Sequence, residues 1–146
     1  METTTVGKKY KIGYTSGIFD LFHVGHLNIL KRAKEQCDYL IVAVSTDELT
    51  VSLKGKAPTI PYEQRAEIVS SIRWVDEVVP EHDVDKYVAW MNLHYDVLFK
   101  GSDAAQKDSY KEYERRLKEE GVDVVYFPYT QGISSTKIKN NWRKSQ

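Results

Sequence analysis

Short apolar runs alternate along the chain with segments whose apolar residues recur at helical spacing. The apolar runs, each of which predicts a β-strand, are "YKIGYTSG", "DYLIVAVS", "VDEVVP", "DVLFKG" and "VDVVYFP". Helical spacing is found in "HLNILKRAKEQ", "PYEQRAEIVSSI", "VDKYVAWMNLH", "SYKEYERRLKEEG" and "STKIKNNWRK". Because strands and helices alternate, and because "DYLIVAVS" is apolar enough to be buried on both faces, we predict an α/β fold with a parallel sheet covered on both sides.

The predicted helices have recognisable boundaries. Pro61 suits the first turn of its helix, and Gly121 follows the charged helix where a left-handed residue is needed. Ser134 or Ser135 can cap the final helix. The polar stretch "TDELTVSLKGKAPTI" contains two lysines and a glycine, and we predict that it is a mobile loop.

Composition narrows the class of protein. The chain has 146 residues, with 21 basic and 21 acidic side chains. This length is typical of a single domain, and the lack of a basic excess argues against nucleic acid as a partner. The single Cys37 excludes an internal disulfide, the first residues lack a secretory signal, and the longest apolar run is too short to cross a bilayer. We therefore expect one domain over residues 1–146, with a flexible start at residues 1–8, in a cytoplasmic protein without membrane insertion.

The turn after the first predicted strand, "SGIFDLFHVGH", contains several residues that could carry chemistry. Ligands of parallel α/β sheets bind beyond the carboxyl ends of the strands. Gly25 lies at the predicted start of a helix, where free backbone N–H groups and the helix dipole favour an anion. His23 and His26 could donate hydrogen bonds to charge that develops on phosphorus. Their spacing alone is equally compatible with a structural histidine or a metal-binding pair, although no third zinc ligand is expected nearby.

Two further segments contain groups that bind anions. Lys54 and Lys56 flank Gly55 in the predicted loop, and they matter for a ligand only if this loop closes over the site. "GISSTKIK" opens the last predicted helix with a glycine and two serines, which combines backbone amides and hydroxyls at a helix start. Two anion sites at the ends of two strands indicate one ligand that carries several phosphates.

The order and spacing of these motifs resemble those of the cytidylyltransferases. "GIFDLFHVGH" is similar to their G-x-F-D-x-x-H-x-G-H signature, and "YTQGISSTKIK" is similar to their second signature, R-T-x-G-I-S-T-T. Between the two, "YEQRAEIVSSIRWVDEVVP" resembles a segment of the glycerol-3-phosphate cytidylyltransferase group that contributes two arginines. The resemblance runs from about Lys9 to Trp142. It implies a Rossmann-like, doubly wound parallel sheet of the nucleotidyltransferase type, usually in a homodimer.

The resemblance also implies a reaction and a set of site residues. A substrate phosphate would attack the α-phosphorus of CTP directly, with Mg²⁺ held through the nucleotide phosphates and pyrophosphate leaving. His23 and His26 would stabilise the transition state, and Lys54 would reach the transferred or the acceptor phosphate. Asp20 would either orient the first turn or touch Mg²⁺. The residues expected to bind the nucleotide are Ile18, Phe19, Gly25, Arg65, Arg73, Gly101, Asp103, Tyr129, Thr130, Gly132, Ile133, Ser134 and Ser135.

Three positions depart from the family pattern. Tyr129 stands where the second signature has arginine, Ile18 stands where the polyol-phosphate enzymes often have threonine, and "KGSD" replaces a G-D-D turn. A phenol does not supply the planar set of donors of a guanidinium, so the choice of nucleotide stays open at that corner of the site. Arg73 has an alternative role in a salt bridge with Asp76 or Glu77.

The leading hypothesis is a cytidylyltransferase that converts a small phosphorylated alcohol into a CDP-activated product. Glycerol 3-phosphate is the first expected acceptor. Related acceptors are a sugar or polyol phosphate, phosphoethanolamine, phosphocholine, or an amino-acid-derived phosphate used as a precursor of a cell-surface polysaccharide. The alternatives are an adenylyltransferase of the same superfamily, a metal-dependent hydrolase that uses His23 and His26 as ligands, and a nucleotide-binding module without catalysis.

Overall fold

A computed structural model of the protein contains one parallel sheet with helices on both faces. The structure describes residues 8–128 and 135–145, with side chains up to residue 141. The strands in these ranges are β1 (Tyr10–Gly17), β2 (Cys37–Ser45), β3 (Glu77–Glu81), β4 (Val97–Gly101) and β5 (Asp123–Phe127). Their order across the sheet is β3-β2-β1-β4-β5, and every neighbouring pair is parallel.

Helices connect the strands as the alternating pattern predicts. In chain order they are α1 (Val24–Gln36), α2 (Asp47–Lys54), α3 (Tyr62–Ser70), α4 (Lys86–Leu93), α5 (Asp108–Glu119) and α6 (Ser135–Ser145). A short 3₁₀ helix, Ser102–Gln106, follows β4. Among the described residues, no helix combines the length and the apolar character needed to cross a bilayer.

The two faces of the sheet bury separate hydrophobic clusters. On the first face, Leu30 of α1 and Val69 of α3 belong to the same cluster as Phe99 of β4. On the second face, Leu117 of α5 belongs to the same cluster as Leu98 of β4. Successive residues of a strand point to opposite faces, so β4 contributes to both clusters. The predicted α/β fold, with its doubly wound parallel sheet, is confirmed.

The strand order reverses between β1 and β4, and this reversal fixes where a ligand can bind. The chain passes from β1 outward through β2 to β3, and then returns to the other side of β1 to form β4 and β5. The Thr15 hydroxyl of β1 donates to the backbone carbonyl of Phe99 in β4 at 2.8 Å, which ties the two central strands together. A crevice at the carboxyl ends of β1 and β4 is the usual ligand site of such sheets.

The prediction of a mobile loop after β2 is wrong for residues 47–54, which form helix α2. The Thr46 hydroxyl accepts the Leu49 N–H at 3.1 Å, and Asp47 places a negative charge in the first turn. Gly55 ends the helix in a left-handed conformation with φ of 79°. Lys54 is therefore the last residue of a helix, and not a loop residue.

Two predicted helix boundaries can be compared directly with the structure. Gly121 has φ of 81° just after α5, which confirms its predicted left-handed conformation. Pro61 precedes the first turn of α3 as its N-cap residue, one position earlier than predicted. Residues 1–7 and Ser134 lie outside the described residues.

Candidate active site

A cavity opens at the carboxyl edge of the sheet, beside the reversal between β1 and β4. Its volume is about 710 Å³, within the range of small-molecule sites. Two carboxylates, Asp20 and Glu81, lie in its wall. The lysines of its described lining are Lys54, Lys56, Lys86, Lys100, Lys107 and Lys139. This excess of positive charge suits a ligand that carries several negative charges.

His23 and His26 cap the start of α1 reciprocally. The Gly25 N–H donates to Nδ1 of His23 at 3.0 Å, and the His23 N–H donates to Nδ1 of His26 at 3.2 Å. This is the geometry of a capping box, in which the N-cap residue and the residue three positions later each satisfy a free N–H group. The two rings stack with centroids 3.9 Å apart. The helix start therefore explains the three-residue spacing.

Both histidines are neutral at pH 7. Burial lowers the pKa of His23, and burial together with the charge of His23 lowers the pKa of His26 to about 4. Because each Nδ1 atom accepts a hydrogen bond, the proton of each neutral ring lies on Nε2. The pair thus supplies two N–H donors, and His26 lines the cavity. In each ring, Nδ1 accepts a backbone N–H group, and the Nε2–H group is a donor suited to an anionic ligand.

The turn between β1 and α1 has an unusual backbone that supports His26. Phe19 and Leu21 have positive φ values of 55° and 50°. A Cβ atom on Gly17 would lie 3.1 Å from the Phe19 ring, so glycine allows that ring to fold back under the turn. The Phe19 ring packs edge-on against His26 with centroids 5.3 Å apart. Ile18 and Phe19 both line the cavity.

Asp20 connects three segments of the site. Its two carboxylate oxygens accept the N–H groups of Thr59 and Ile60 at 2.8 and 2.9 Å. Its backbone carbonyl accepts the Ser135 hydroxyl at 2.5 Å, and Lys139 lies 3.5 Å from the carboxylate. Burial alone would raise the pKa of Asp20, but the two backbone hydrogen bonds and the charge of Lys139 outweigh it and lower the pKa. These contacts support the orienting role of Asp20.

Arg65, which is expected to contact the nucleotide, makes most of its hydrogen bonds within the chain. Its side chain is 1% exposed and donates to the carbonyls of Ile60, Ile18 and Ser45 at 2.7 to 2.8 Å. It also donates to the Asp47 carboxylate at 2.7 Å. These bonds occupy four of the five guanidinium N–H groups. Arg65 therefore holds the turn after β1 and the end of β2 together from behind the cavity.

Arg73 also lies away from the cavity within this chain. It is exposed in the segment before β3, at the amino end of the sheet, and its guanidinium lies 5.8 Å from the ring centroid of Trp74. The alternative salt bridges expected for Arg73 are also absent from the described contacts, since Asp76 pairs with Lys34 and the Tyr39 hydroxyl donates to Glu77.

The ends of β3 and β4 contribute charged groups that the motifs did not indicate. Gly101 and Asp103 do not belong to the described lining of the cavity, whereas Lys100 does. Glu81, at the end of β3, forms a buried ion pair with Lys86 at 2.5 Å. A charged residue at the end of an apolar run was the available signal, because such a position borders the ligand edge of a parallel sheet.

Several expected nucleotide contacts fall on residues 129–134, which lie outside the described residues. These are Tyr129, Thr130, Gly132, Ile133 and Ser134. Ser135 is described, and it lines the cavity while bonding to the Asp20 carbonyl. Within the described ranges, no group of three or more His, Cys, Asp or Glu side chains could hold a metal ion.

The chain is similar to known proteins over most of its length. A family model described as cytidylyltransferase-like matches residues 14–141. A glycerol-3-phosphate cytidylyltransferase of Bacillus subtilis is 44% identical over 126 residues, which span 86% of this chain and 92% of the relative. An FAD synthase of Pyrococcus horikoshii is 40% identical over 119 residues, which span 77% of each chain.

A solved structure has the same fold. It is a lipopolysaccharide core biosynthesis protein from Thermoplasma volcanium GSS1, which matches with a TM-score of 0.68 at 26% identity. The match covers 83% of this chain and 97% of that protein. The similarity therefore extends over the sheet and the helices that surround the cavity.

Proposed function

Since the chain belongs to the cytidylyltransferase-like family and is a nucleotidyltransferase, we propose that it transfers a cytidylyl group from CTP to a small phosphorylated alcohol. Glycerol 3-phosphate is the first candidate acceptor, because the relative from Bacillus subtilis carries that name. The product would be a CDP-activated alcohol of the kind used to build cell-surface polysaccharides. We expect the enzyme to act as a homodimer, as the family resemblance implies.

The observation that carries this proposal is the neutral histidine pair, in which His26 lines the lysine-rich cavity and His23 stacks against it from outside the described lining. In nucleotidyl transfer, negative charge accumulates on the oxygens of the phosphorus under attack. Donors already fixed by the fold stabilise that charge without reorganising. The reciprocal capping of His23 and His26 fixes both rings, and their Nε2–H groups would face the α-phosphate.

The reaction needs no covalent intermediate with the protein. An oxygen of the acceptor phosphate forms a bond to the α-phosphorus of CTP, and the bond from that phosphorus to the bridging oxygen breaks. Pyrophosphate leaves with the electron pair. Lys54, Lys56 and Lys139 all line the cavity, and Lys139 lies 3.5 Å from the Asp20 carboxylate in the turn after β1. These side chains would neutralise the triphosphate and the leaving group.

We propose that Mg²⁺ reaches this site on the nucleotide. The donor set of the described residues fits such an ion only indirectly, because both oxygens of Asp20 accept backbone N–H groups. Phosphate oxygens and water are ligands that Mg²⁺ prefers. When bound, the ion would neutralise phosphate charge, and the histidines and lysines would do the positioning.

Transfer of an adenylyl group is the second candidate function. The similarity to the FAD synthase of Pyrococcus horikoshii favours it. Tyr129 adds a reason to test it, since this residue replaces the arginine of the second signature. The two candidates share the site and the chemistry, and they differ in the base that is selected.

Pyrophosphate release tests both candidates in one experiment. CTP, ATP, GTP and UTP would each be combined with Mg²⁺ and with a set of small phosphates that includes glycerol 3-phosphate. Release with CTP and one acceptor would support the first candidate, and release with ATP would support the second. His26→Gln serves as the control, because glutamine keeps the helix cap and removes the Nε2 donor. Nucleotide binding without release from any pair would instead favour the module without catalysis.

A further inference from the structure

A second polar cluster lies on the sheet face opposite to α1 and its histidines. Lys100 shares its face of β4 with Leu98, which belongs to the hydrophobic cluster under α4 and α5. Ser45 and Glu81 close the ends of β2 and β3, and both line the same cavity as Lys100. Polar side chains therefore replace the apolar cluster at the carboxyl edge of the sheet.

Within this cluster, the charge of Lys100 has no direct counterion. Glu81 is already satisfied, since one oxygen accepts from Lys86 at 2.5 Å and the other accepts the Ser45 hydroxyl at 2.8 Å. Lys100 donates one hydrogen bond to the backbone carbonyl of Ser16. Among the side chains described in residues 8–128 and 135–141, no carboxylate lies within 4.0 Å of its ammonium group. An ammonium group has three donors, so Lys100 can bind an anion in the cavity.

The position of Lys100 indicates which anion this is. Its bond to Ser16 places the ammonium group at the end of β1, next to the strand reversal. His26 lines the same cavity as Lys100, and the charge of Lys100 contributes to the lowered pKa of His26. An in-line transfer brings the attacking oxygen to the side of the phosphorus opposite the leaving group. If the nucleotide lies beside His26, an anionic acceptor bound to Lys100 would approach the phosphorus from the direction of the other sheet face.

We propose that Lys100 binds the phosphate of the acceptor and restricts the acceptor to phosphomonoesters, as opposed to free alcohols or carboxylates. This inference rests on the proposed nucleotidyl transfer. The ammonium group neutralises part of the phosphate charge, which reduces its repulsion from the triphosphate. One phosphate oxygen then remains to attack the α-phosphorus. Lys86 is paired with Glu81, so Lys100 supplies the charge that Lys86 does not.

The protonation of Lys100 gives the proposal a distinctive pH signature. Burial and the charge of Lys86 lower the pKa of Lys100 to about 8. The acceptor site should therefore weaken as the pH rises from 7.5 to 9, because Lys100 loses its proton. The other charged groups that influence this titration are Glu81, Asp103 and Lys107, whereas His26, which lines the same cavity, is neutral in this pH range.

Steady-state kinetics with three variants test the proposal. Lys100→Met should raise the KM for the acceptor about 10- to 100-fold and change the KM for CTP less than about 3-fold. Lys100→Arg should keep acceptor affinity and remove its dependence on pH between 7.5 and 9, because arginine stays charged. Lys111→Met is the matched control, since Lys111 is an exposed lysine on α5 outside the cavity. An unchanged acceptor KM in Lys100→Met, or a rise confined to CTP, would overturn the proposal.

Calorimetry separates this inference from the proposed transfer reaction. Glycerol 3-phosphate would be titrated into the protein with its nucleotide site filled by α,β-methylene CTP, and glycerol would serve as the neutral control. Binding of glycerol 3-phosphate by the unmodified protein but not by Lys100→Met supports the site. If no combination of nucleotide and acceptor releases pyrophosphate, inorganic phosphate is titrated into both proteins instead. Equal affinity of both proteins for phosphate would then reject Lys100 as its ligand, independently of the reaction.

Discussion

Replacing Arg65 tests whether this arginine supports the fold or binds the nucleotide. Arg65→Met would leave three carbonyls, those of Ile18, Ser45 and Ile60, without their donor. An unsatisfied buried carbonyl costs about 1 kcal/mol or somewhat more. The lost pair with Asp47 adds less than about 1 kcal/mol, because that carboxylate is 39% exposed. We expect the free energy of unfolding to fall by about 3 to 4 kcal/mol.

Urea unfolding at constant m-value measures this loss, and thermal unfolding should show a Tm lower by roughly 10 °C. Arg65→Lys should lie between the two proteins, because one ammonium group cannot bridge all four acceptors. Arg73→Met is the control, since Arg73 is exposed, and it should change stability by less than about 0.5 kcal/mol. A loss below about 1 kcal/mol in Arg65→Met, together with a large rise in the KM for CTP, would show that Arg65 contacts the nucleotide.

Three further predictions concern the histidine pair and the buried ion pair. His26→Gln should keep stability within about 0.5 kcal/mol and lower kcat about 100-fold or more, whereas His26→Ala should also lose about 1 kcal/mol of stability with the cap. Comparable kcat values for His26→Gln and the unmodified enzyme would exclude the donor role. Since the pKa of His26 is about 4 in the folded protein and 6.5 when unfolded, the unfolded state binds the additional proton below pH 6.5. Urea midpoints should then show about 1.5 kcal/mol of stability lost between pH 6.5 and 5, and His26→Gln should show less. Glu81→Leu should cost about 3 to 5 kcal/mol by leaving Lys86 buried without a partner, and Glu81→Leu with Lys86→Met should recover most of it. If the double variant is as unstable as the single one in urea, the cost does not come from the unpaired charge.

Hydrophobic periodicity was sufficient to predict the sheet and most of the helices, because both faces of this sheet are buried. Helix α2 was missed for a physical reason. Val51 and Leu53 are 44% and 50% exposed, so its apolar residues do not form a core-facing stripe. Local capping by Thr46 and Gly55 forms this helix instead, and those residue types are equally common in loops.

Some residues of the candidate site could be predicted from the sequence, and others could not. His23 and His26 could be located from sequence because their spacing follows the geometry of one helix start. The pairing of Glu81 with Lys86, and the position of Lys100 beside Ser16, depend on which strands become neighbours. The partners of Arg65 could not be predicted for a different reason. An arginine that binds backbone carbonyls and one that binds phosphate use the same donors, and the sequence does not distinguish them.

The contacts of Asp20 have a consequence for synthesis on the ribosome. Its carbonyl bonds to Ser135, a residue 115 positions later in the chain. Its carboxylate faces Lys139 in the same helix. Domains generally begin to fold from their amino-terminal side as they emerge, and distant pairings form late. The nascent protein can therefore bury its central strands while its ligand site is still incomplete, and this side of the cavity closes only after Lys139 has been released from the exit tunnel.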